Sequence, residues 1–444
     1  MARPEQQKYF DALNEALLSL YGDDALNLND GQNNRATVRK KTFTDAIRHI
    51  FRRKEYRPEM LSDAPVRAMI DETHRTLQRA ISFGVADNVI PPAMAFALDN
   101  NAFMFSGFKI HTQLSEVGLS LRNDNGTIKS FDQFRYDVQQ IHNRYNINYL
   151  RAEYQLAIHS SQAAANWQKY DTRNYDLQYR TAGDEDVRDE HVPLDRITLP
   201  ADDPFWDNYY PPNGWRCRCY VNQVRKGRFP LSNSAEAQRL GEAATTKLNK
   251  NDENKAAIFR FNPGKSGKIF PGKHPYFPKG CDGCEFRINL AFNANRPECL
   301  ACLKIREMTA QLRKEARNET LAKMQNLIKE PVEKTAVIEG QKKTINVHFY
   351  PKGNKHLYRD MLLKCGGKLT VDDLVNFDRI VKKATDGIGP ISLYKERSDY
   401  IEDFVYFDVE VNGADMQLQV GRKVWQRANG QQRVQYVVYG IKKK

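Results

Sequence analysis

From residue 128 to residue 170 the chain runs without a single Gly or Pro: "IKSFDQFRYDVQQIHNRYNINYLRAEYQLAIHSSQAAANWQKY". Its aromatic and aliphatic residues recur at helical spacing, which predicts one or two long helices whose aromatic stripe faces a core. At Asp171 the pattern changes. "YDLQYRTAG" reads as a strand ending in a turn, and a loop-rich stretch follows it up to Trp215. A helical front that gives way to strands and loops constrains the chain to a multidomain layout, as its 444 residues also suggest.

Helices are further predicted over 5–22, 42–56 and 65–83, where apolar residues recur at helical intervals and Thr or Asp stands near the start. No positively charged segment followed by an apolar run opens the chain, and no run of about 18 apolar residues occurs. A secretory signal and a membrane span are therefore not expected. In a reducing compartment seven cysteines point to metal binding or burial and away from a disulfide framework. The net charge of +13 is unevenly spread: residues 1–210 carry 25 Lys and Arg against 30 Asp and Glu, residues 211–330 carry 23 against 11, and residues 331–444 carry 20 against 14. The basic rear suits phosphate or acidic protein, and solvated charge serving solubility is the alternative.

"PPNGWRCRC", residues 211–219, places two cysteines at i and i+2 after a turn-forming Pro-Pro-Asn-Gly. The alternation in "WRCRCYV" predicts a strand with Trp215, Cys217 and Cys219 on one face and Arg216 and Arg218 on the other. His191, with Asp184 in the same loop, can be brought to the two sulfurs to bind a metal. Alternatively, Cys217 and Cys219 pack beside Trp215 while His191 bonds a loop carbonyl. Two sulfurs and one distant imidazole are a small ligand set, so packing is the expectation. In "ADDPFW", Phe205 and Trp206 should bury the loop while Asp202 or Asp203 caps a turn.

A second cysteine cluster, "CDGCEFRINLAFNANRPECLAC", holds Cys281 and Cys284, then Cys299 and Cys302. Two CxxC knuckles offer four thiolates to one ion, the tetrahedral set that structural Zn²⁺ prefers, and Gly280 and Gly283 supply turn freedom. His274 is a spare ligand nearby. The surrounding segment 223–280 is Lys-, Gly- and Pro-rich and reads as a connector or a loop draped on a neighbour, and a helix is predicted over 298–330.

Residues 179–221 carry Arg180-Thr181-Ala182-Gly183-Asp184, Val187-Arg188, His191, Asp203-Pro204-Phe205-Trp206 and Pro211-Pro212-Asn213-Gly214-Trp215 with Cys217-Arg218-Cys219. This run resembles the signature of the MuF-type phage minor head proteins, and the helical region from about residue 80 is similar in kind to the rest of that domain. The resemblance implies a protein made in the bacterial host cytoplasm and carried inside the virion. It further implies association with the portal protein and with capsid or scaffold proteins, and a part in head assembly or DNA delivery.

From Glu333 onward, strands are predicted at "TAVIEG", "TINVHFY", "DFVYFDVEVNG", "DMQLQVGRKVWQ" and "VQYVVYGI", with helices near 355–364 and 370–385. This α+β unit looks like the small nuclease-like domains at the ends of phage and mobile-element proteins, grouped with barnase, EndoU, colicin-type toxins and RelE. Their layout is one or two helices followed by an antiparallel sheet. Metal-free RNA cleavage needs an acid, a base and cations for the phosphorane charge. His356 is the candidate acid or base, Lys355, Lys352 and Arg397 the cations, and Tyr439, Tyr436 or Tyr394 the stacking or proton-donating group; His348 is a second imidazole. No Glu-plus-His pair of the barnase kind is present. A delivered toxin of this sort would have DNA or RNA and an immunity protein as partners. The alternative is a purely structural head protein whose last unit binds nucleic acid or a partner without cleaving.

The expected fold is thus multidomain: a mostly helical region ending in a small strand-and-loop signature over 1–222, a basic connector with a four-cysteine zinc site and a helix over 223–330, and an α+β domain with an antiparallel sheet over 331–444.

Overall fold

A computed structural model describes residues 3–26, 36–86, 88, 90–250, 252–277, 300–391, 401–426 and 431–444. The chain divides into two compact units, one of residues 1–89 with 97–309 and one of residues 90–96 with 310–444.

The first unit is mainly helical. Its helices are α1 (Arg3–Leu26), α2 (Lys40–Arg53), α3 (Ala64–Val85), α4 (Pro92–Leu119, which begins in the second unit), α5 (Phe131–Asp137), α6 (Gln139–Asn143) and α7 (Leu150–Trp167). In α2, Phe43, Ala46, Ile47 and Ile50 recur every three or four residues and all are buried. Helices α3 and α7 cross closely at Gly84, where an added Cβ would lie 2.2 Å from the Ile158 carbonyl oxygen. The breaker-free run predicted as one or two long helices is instead segmented. Ser130 caps α5 by accepting from the Gln133 amide, and a π-helical stretch at Arg144–Tyr149 joins α6 to α7. That wider turn sets Tyr145 and Tyr149 into the core, with ring centroids 5.8 Å apart.

After α7 come β1 (Tyr175–Arg180), β2 (Thr198–Leu199), α8 (Phe205–Asn208) and β3 (Tyr220–Arg225). The three strands form an antiparallel sheet in the order β2-β1-β3, with Leu177 opposite Leu199 and Tyr179 opposite Val221. The cysteine run is therefore not a strand: β3 starts only at Tyr220, and Arg216 has a left-handed φ of 54°. The basic segment beyond β3 contains α9 (Ser234–Ala244) and α10 (Pro263–Ser266), and its later part is draped over α4. Asn101 accepts from the amides of Ile269 and Phe270, and the Phe270 ring stacks on Phe105 at 3.7 Å. Helix α11 (Leu300–Lys323) follows and ends in a 3₁₀ turn, Met324–Ile328, short of the predicted limit at residue 330.

The second unit is built on a closed six-stranded barrel and contains, besides the end of α11, the helices α12 (Pro351–Leu363), α13 (Val371–Val375) and α14 (Phe377–Lys383). Its strands are β4 (Val332–Ile338), β5 (Gln341–His348), β6 (Gly387–Ile391), β7 (Ile401–Val411), β8 (Ala414–Gln426) and β9 (Gln432–Lys443), in the order β4-β5-β9-β8-β7-β6. The expected antiparallel sheet is corrected by two parallel pairings, β4 with β6 and β5 with β9. The crossover through α12–α14 causes the first, because parallel neighbours need a long connection. Two hairpins are tight, with positive φ at Glu339-Gly340 and at Asn412-Gly413, as turns matched to strand twist require. Along β7, Val405, Phe407, Val409 and Val411 alternate inward to meet Leu357, Met361, Phe377 and Val381 of the helices in one apolar core.

Candidate functional site

Both β1 and β3 leave the small sheet at the same end, since Arg180 pairs with Tyr220. The loop after β1 contains a 3₁₀ turn, Asp189–Leu194, in which the His191 amide donates to the Arg188 carbonyl at 2.8 Å. Before β3, the Cys217 amide reaches back to the Gly214 carbonyl at 3.3 Å, which curls the cysteine segment. The two loops bring His191 Nδ1 to 3.9 Å from Cys217 Sγ and 3.7 Å from Cys219 Sγ. His191 and Cys217 are each 3% exposed, and Cys219 is half-buried. The three donor atoms lie within 4.8 Å of one another, a group that could hold a metal ion. Sequence spacing favoured packed thiols; the curled backbone instead aims both sulfurs at the imidazole.

The surroundings are basic and tightly built. Arg218 forms a bidentate pair with Asp184, at 2.7 and 2.6 Å, and Arg188 donates to the Trp215 carbonyl at 2.5 Å. A hydrogen bond from Cys219 holds the Cys217 thiol well below the ordinary cysteine range; burial opposes this and His191 adds to it. Cys219 is pushed up, first by that same bond and then by burial. Behind the sulfurs, burial and then the two cysteines raise the Tyr179 hydroxyl, which accepts from Asn213 at 3.1 Å. A cavity of about 20 Å³ adjoins the cluster, lined by Ala182, Asp186, Val187, Arg188 and the turn 216–219. It has room for one small species such as a water molecule and none for an organic substrate.

The rest of the signature is architectural. Asp203, not Asp202, caps the turn by accepting from the Phe205 amide at 2.8 Å, and Phe205 and Trp206 are fully buried. Trp215 stacks on Tyr21 at 4.8 Å and donates through Nε1 to the Leu20 carbonyl at 2.8 Å, so α1 is fastened to the signature.

Tyr21 also opens a buried polar network with no spacing signature in the sequence. Its hydroxyl donates to Glu153 Oε1 at 2.7 Å and lies 3.0 Å from His274 Nε2, and Lys109 pairs with Glu153 Oε2. His274 Nδ1 accepts from the Tyr276 amide, which leaves Nε2 as the N–H that donates to Tyr21. His274 is thereby committed to the core and not to zinc. Burial, then the Lys109 charge, lowers its pKa well below the ordinary histidine value. The one clue in the sequence is a lone Lys inside the apolar "FMFSGFKI".

Of the four cysteines assigned to zinc, Cys281, Cys284 and Cys299 lie outside the described residues, and Cys302 is buried near the start of α11. In the barrel, His356 stands half-buried on α12 with its ring edge-on to Tyr439 of β9 at 4.7 Å, and Lys355 beside it is exposed. Arg397 and Tyr394 lie outside the described residues. Lys352 is exposed on α12, and His348 and Tyr436 are half-buried on β5 and β9.

The helical body, closed by a buried Trp-and-Cys loop on a three-stranded sheet, coincides with the stretch that has known relatives. Residues 125–222 match the family described as Phage Mu protein F like protein, so the chain carries a Mu F-like segment. Relatives include the "Putative capsid assembly protein F" of Escherichia phage Mu, 42% identical over 52 residues that make up 12% of each chain. Another is the Mu-like prophage FluMu F protein of Haemophilus influenzae, 35% identical over 75 residues, 17% of this chain and 18% of that one. The similarity thus spans less than a fifth of either relative. No solved structure gives a significant match. No helix among the described residues is long and apolar enough to cross a membrane.

Proposed function

We propose that the chain is a minor head protein of a tailed phage or prophage, built into the virion beside the portal during head assembly, with the barrel as an appendage that contacts nucleic acid. The Mu F-like segment carries this reading, because its signature loop is packed into a core of its own and a relative that shares it is named for capsid assembly. The excess of cations in residues 331–444 supports the role given to the barrel. In this reading, four thiolates at Cys281, Cys284, Cys299 and Cys302 hold a structural Zn²⁺, and portal and capsid or scaffold proteins are the partners.

The test is composition of the particle. DNA-filled heads purified from induced cells should contain the chain in few copies, and heads made without it should be fewer or poorly infectious. Its absence from purified heads would overturn the proposal. The barrel is tested in the full chain by binding to duplex DNA and RNA, where affinity should fall steeply with salt and depend little on sequence.

A second reading, a ribonuclease delivered with the particle and matched by an immunity protein, is favoured by one observation. His356 lies against Tyr439 with Lys355 alongside, so an imidazole, a phenol and a cation share one region of the barrel unit. RNA cleavage by the full chain, lost in His356→Ala with the fold intact, would establish it, and binding without cleavage would leave the first reading.

A further inference from the structure

We propose that His191, Cys217 and Cys219 form a binding site for one thiophilic divalent cation of the zinc class, which ties the loop after β1 to the turn before β3. Its ligands include none of the CxxC cysteines, and the proposal does not depend on the head-protein reading.

Three observations carry it. First, the donors come from two segments far apart in sequence, yet their ligand atoms converge within 4.8 Å. Second, the spacing is that of a coordination shell. With Zn–S of about 2.3 Å and Zn–N of about 2.0–2.1 Å at tetrahedral angles, nitrogen and sulfur should lie roughly 3.5 Å apart. The two N···S separations here are 3.9 and 3.7 Å, each within a few tenths of an ångström of that value. Third, the cluster borders a cavity of about 20 Å³, which offers the fourth position to one water molecule.

Charge fits as well. Two thiolates neutralise a divalent ion, while Asp184 engages Arg218, the cation nearest in sequence to both sulfurs. Because the sulfurs must lose protons to bind, occupancy should fall as the pH is lowered. The alternative use of two close sulfurs, a disulfide, would have to bridge residues separated by a single position, a geometry that stores strain.

The test uses the full chain loaded with Zn²⁺ or Co²⁺ and freed of excess metal. Cys217→Ser/Cys219→Ser should lose one equivalent relative to the parent, whereas Cys281→Ser/Cys299→Ser should retain that equivalent. With Co²⁺ in the latter variant, a thiolate-to-metal charge-transfer band should remain, at the intensity expected for two sulfurs. Unchanged metal content in Cys217→Ser/Cys219→Ser would overturn the proposal. Should that variant fail to fold, site-resolved alkylation of the Zn²⁺-loaded natural chain decides. A chelator should raise labelling of Cys219 several-fold while leaving Cys365, buried in the barrel core, unchanged. Equal Cys219 labelling with and without chelator, or a Cys217–Cys219 disulfide in reductant-treated, metal-loaded protein, would also overturn it.

Discussion

The two units build their cores by opposite means. The barrel's core is mainly apolar, drawn from strands that alternate inward and from one face of each helix, with a few buried polar side chains such as Asn354, Asp360 and Asp403 beside it. The first unit buries a Lys–Glu pair at 0% exposure, a histidine at 1% and a string of hydroxyls and amides among its aromatic rings. Apolar contacts are non-directional, so the barrel core tolerates exchange of similar shapes. A buried ion pair repays its desolvation only if every partner is in place. The first unit thus gains a demand for a single arrangement of α1, α4, α7 and the segment around His274, at greater sensitivity to losing any one member.

Lys109→Met should expose that contrast most strongly. It leaves the Glu153 carboxylate buried with Tyr21 as its remaining donor, and loss of one partner in such a pair costs about 3–5 kcal/mol. In denaturant titrations followed by probes in each unit, the first unit should be weakened while the barrel transition stays in place. Adding Glu153→Leu should recover part of the loss, since the uncompensated charge is gone. A double variant no better than the single one would mean that the network acts through geometry and not through charge.

The converse test is Leu418→Ala, where β8 packs on Phe407 and Ile441 of its neighbours. Truncating a fully buried Leu typically costs about 2–5 kcal/mol. Here the barrel transition alone should shift, and Leu418→Met should restore most of it, because volume-conserving swaps are mild.

Alkali should separate the units without any substitution. Burial is the main cause that pushes Tyr149 and Tyr170 up to about 12, and it drives Tyr21, Tyr145, Tyr210 and Tyr276 well above their ordinary value. An acid whose pKa is raised by folding keeps its proton when the unfolded chain has already lost it. The stability these tyrosines confer is therefore complete below the unfolded value of about 10 and declines as pH rises from there towards 12. In the barrel, burial raises Tyr358 and Tyr436 as well, but neither is driven as far up as Tyr21, Tyr145, Tyr210 and Tyr276. The first unit should unfold at the lower pH, as followed by circular dichroism alongside tyrosinate absorbance at each pH.

The same contrast explains what the sequence could reveal. Alternation in "DFVYFDVEVNG" and the Asn-Gly turn after it locate β7 and its hairpin directly, because inward residues of a strand must be apolar and the tight turn needs positive φ. Closure of the sheet was not legible, since parallel pairing of β4 with β6 depends on where the crossover lands. Helix α4 falls in the region expected to be helical by resemblance but shows no clear stripe of its own, because burial on most sides erases the polar face that makes one visible. The His191–Cys217–Cys219 cluster was half legible: the residue types stood in the sequence, but an assumed extended backbone through "WRCRC" hid the left-handed Arg216 that curls the sulfurs together. Lys109 and Glu153 meet across 44 positions on two helices, and Tyr21 reaches His274 across 253. No local pattern encodes such partners.

The smallest effect tests how much one partly exposed polar box contributes to the barrel unit, beside partly buried pairs such as Arg422–Asp403. Thr370 caps α13 by accepting from the Asp373 amide at 3.1 Å, while Asp373 accepts in return from the Thr370 amide at 2.8 Å. The same carboxylate takes a bond from Asn412 at the β7–β8 turn, so the box ties a helix start to a hairpin. Thr370→Ala should cost about 1 kcal/mol if only the cap is lost. A cost near that of Leu418→Ala would mean that the hairpin loosens with it, because Asp373 would then release Asn412 as well. In that case the barrel, like the first unit, would depend on a polar network to hold its register. Amide exchange at Asn412 and Gly413, unchanged for a lost cap and accelerated for a freed turn, separates the two outcomes.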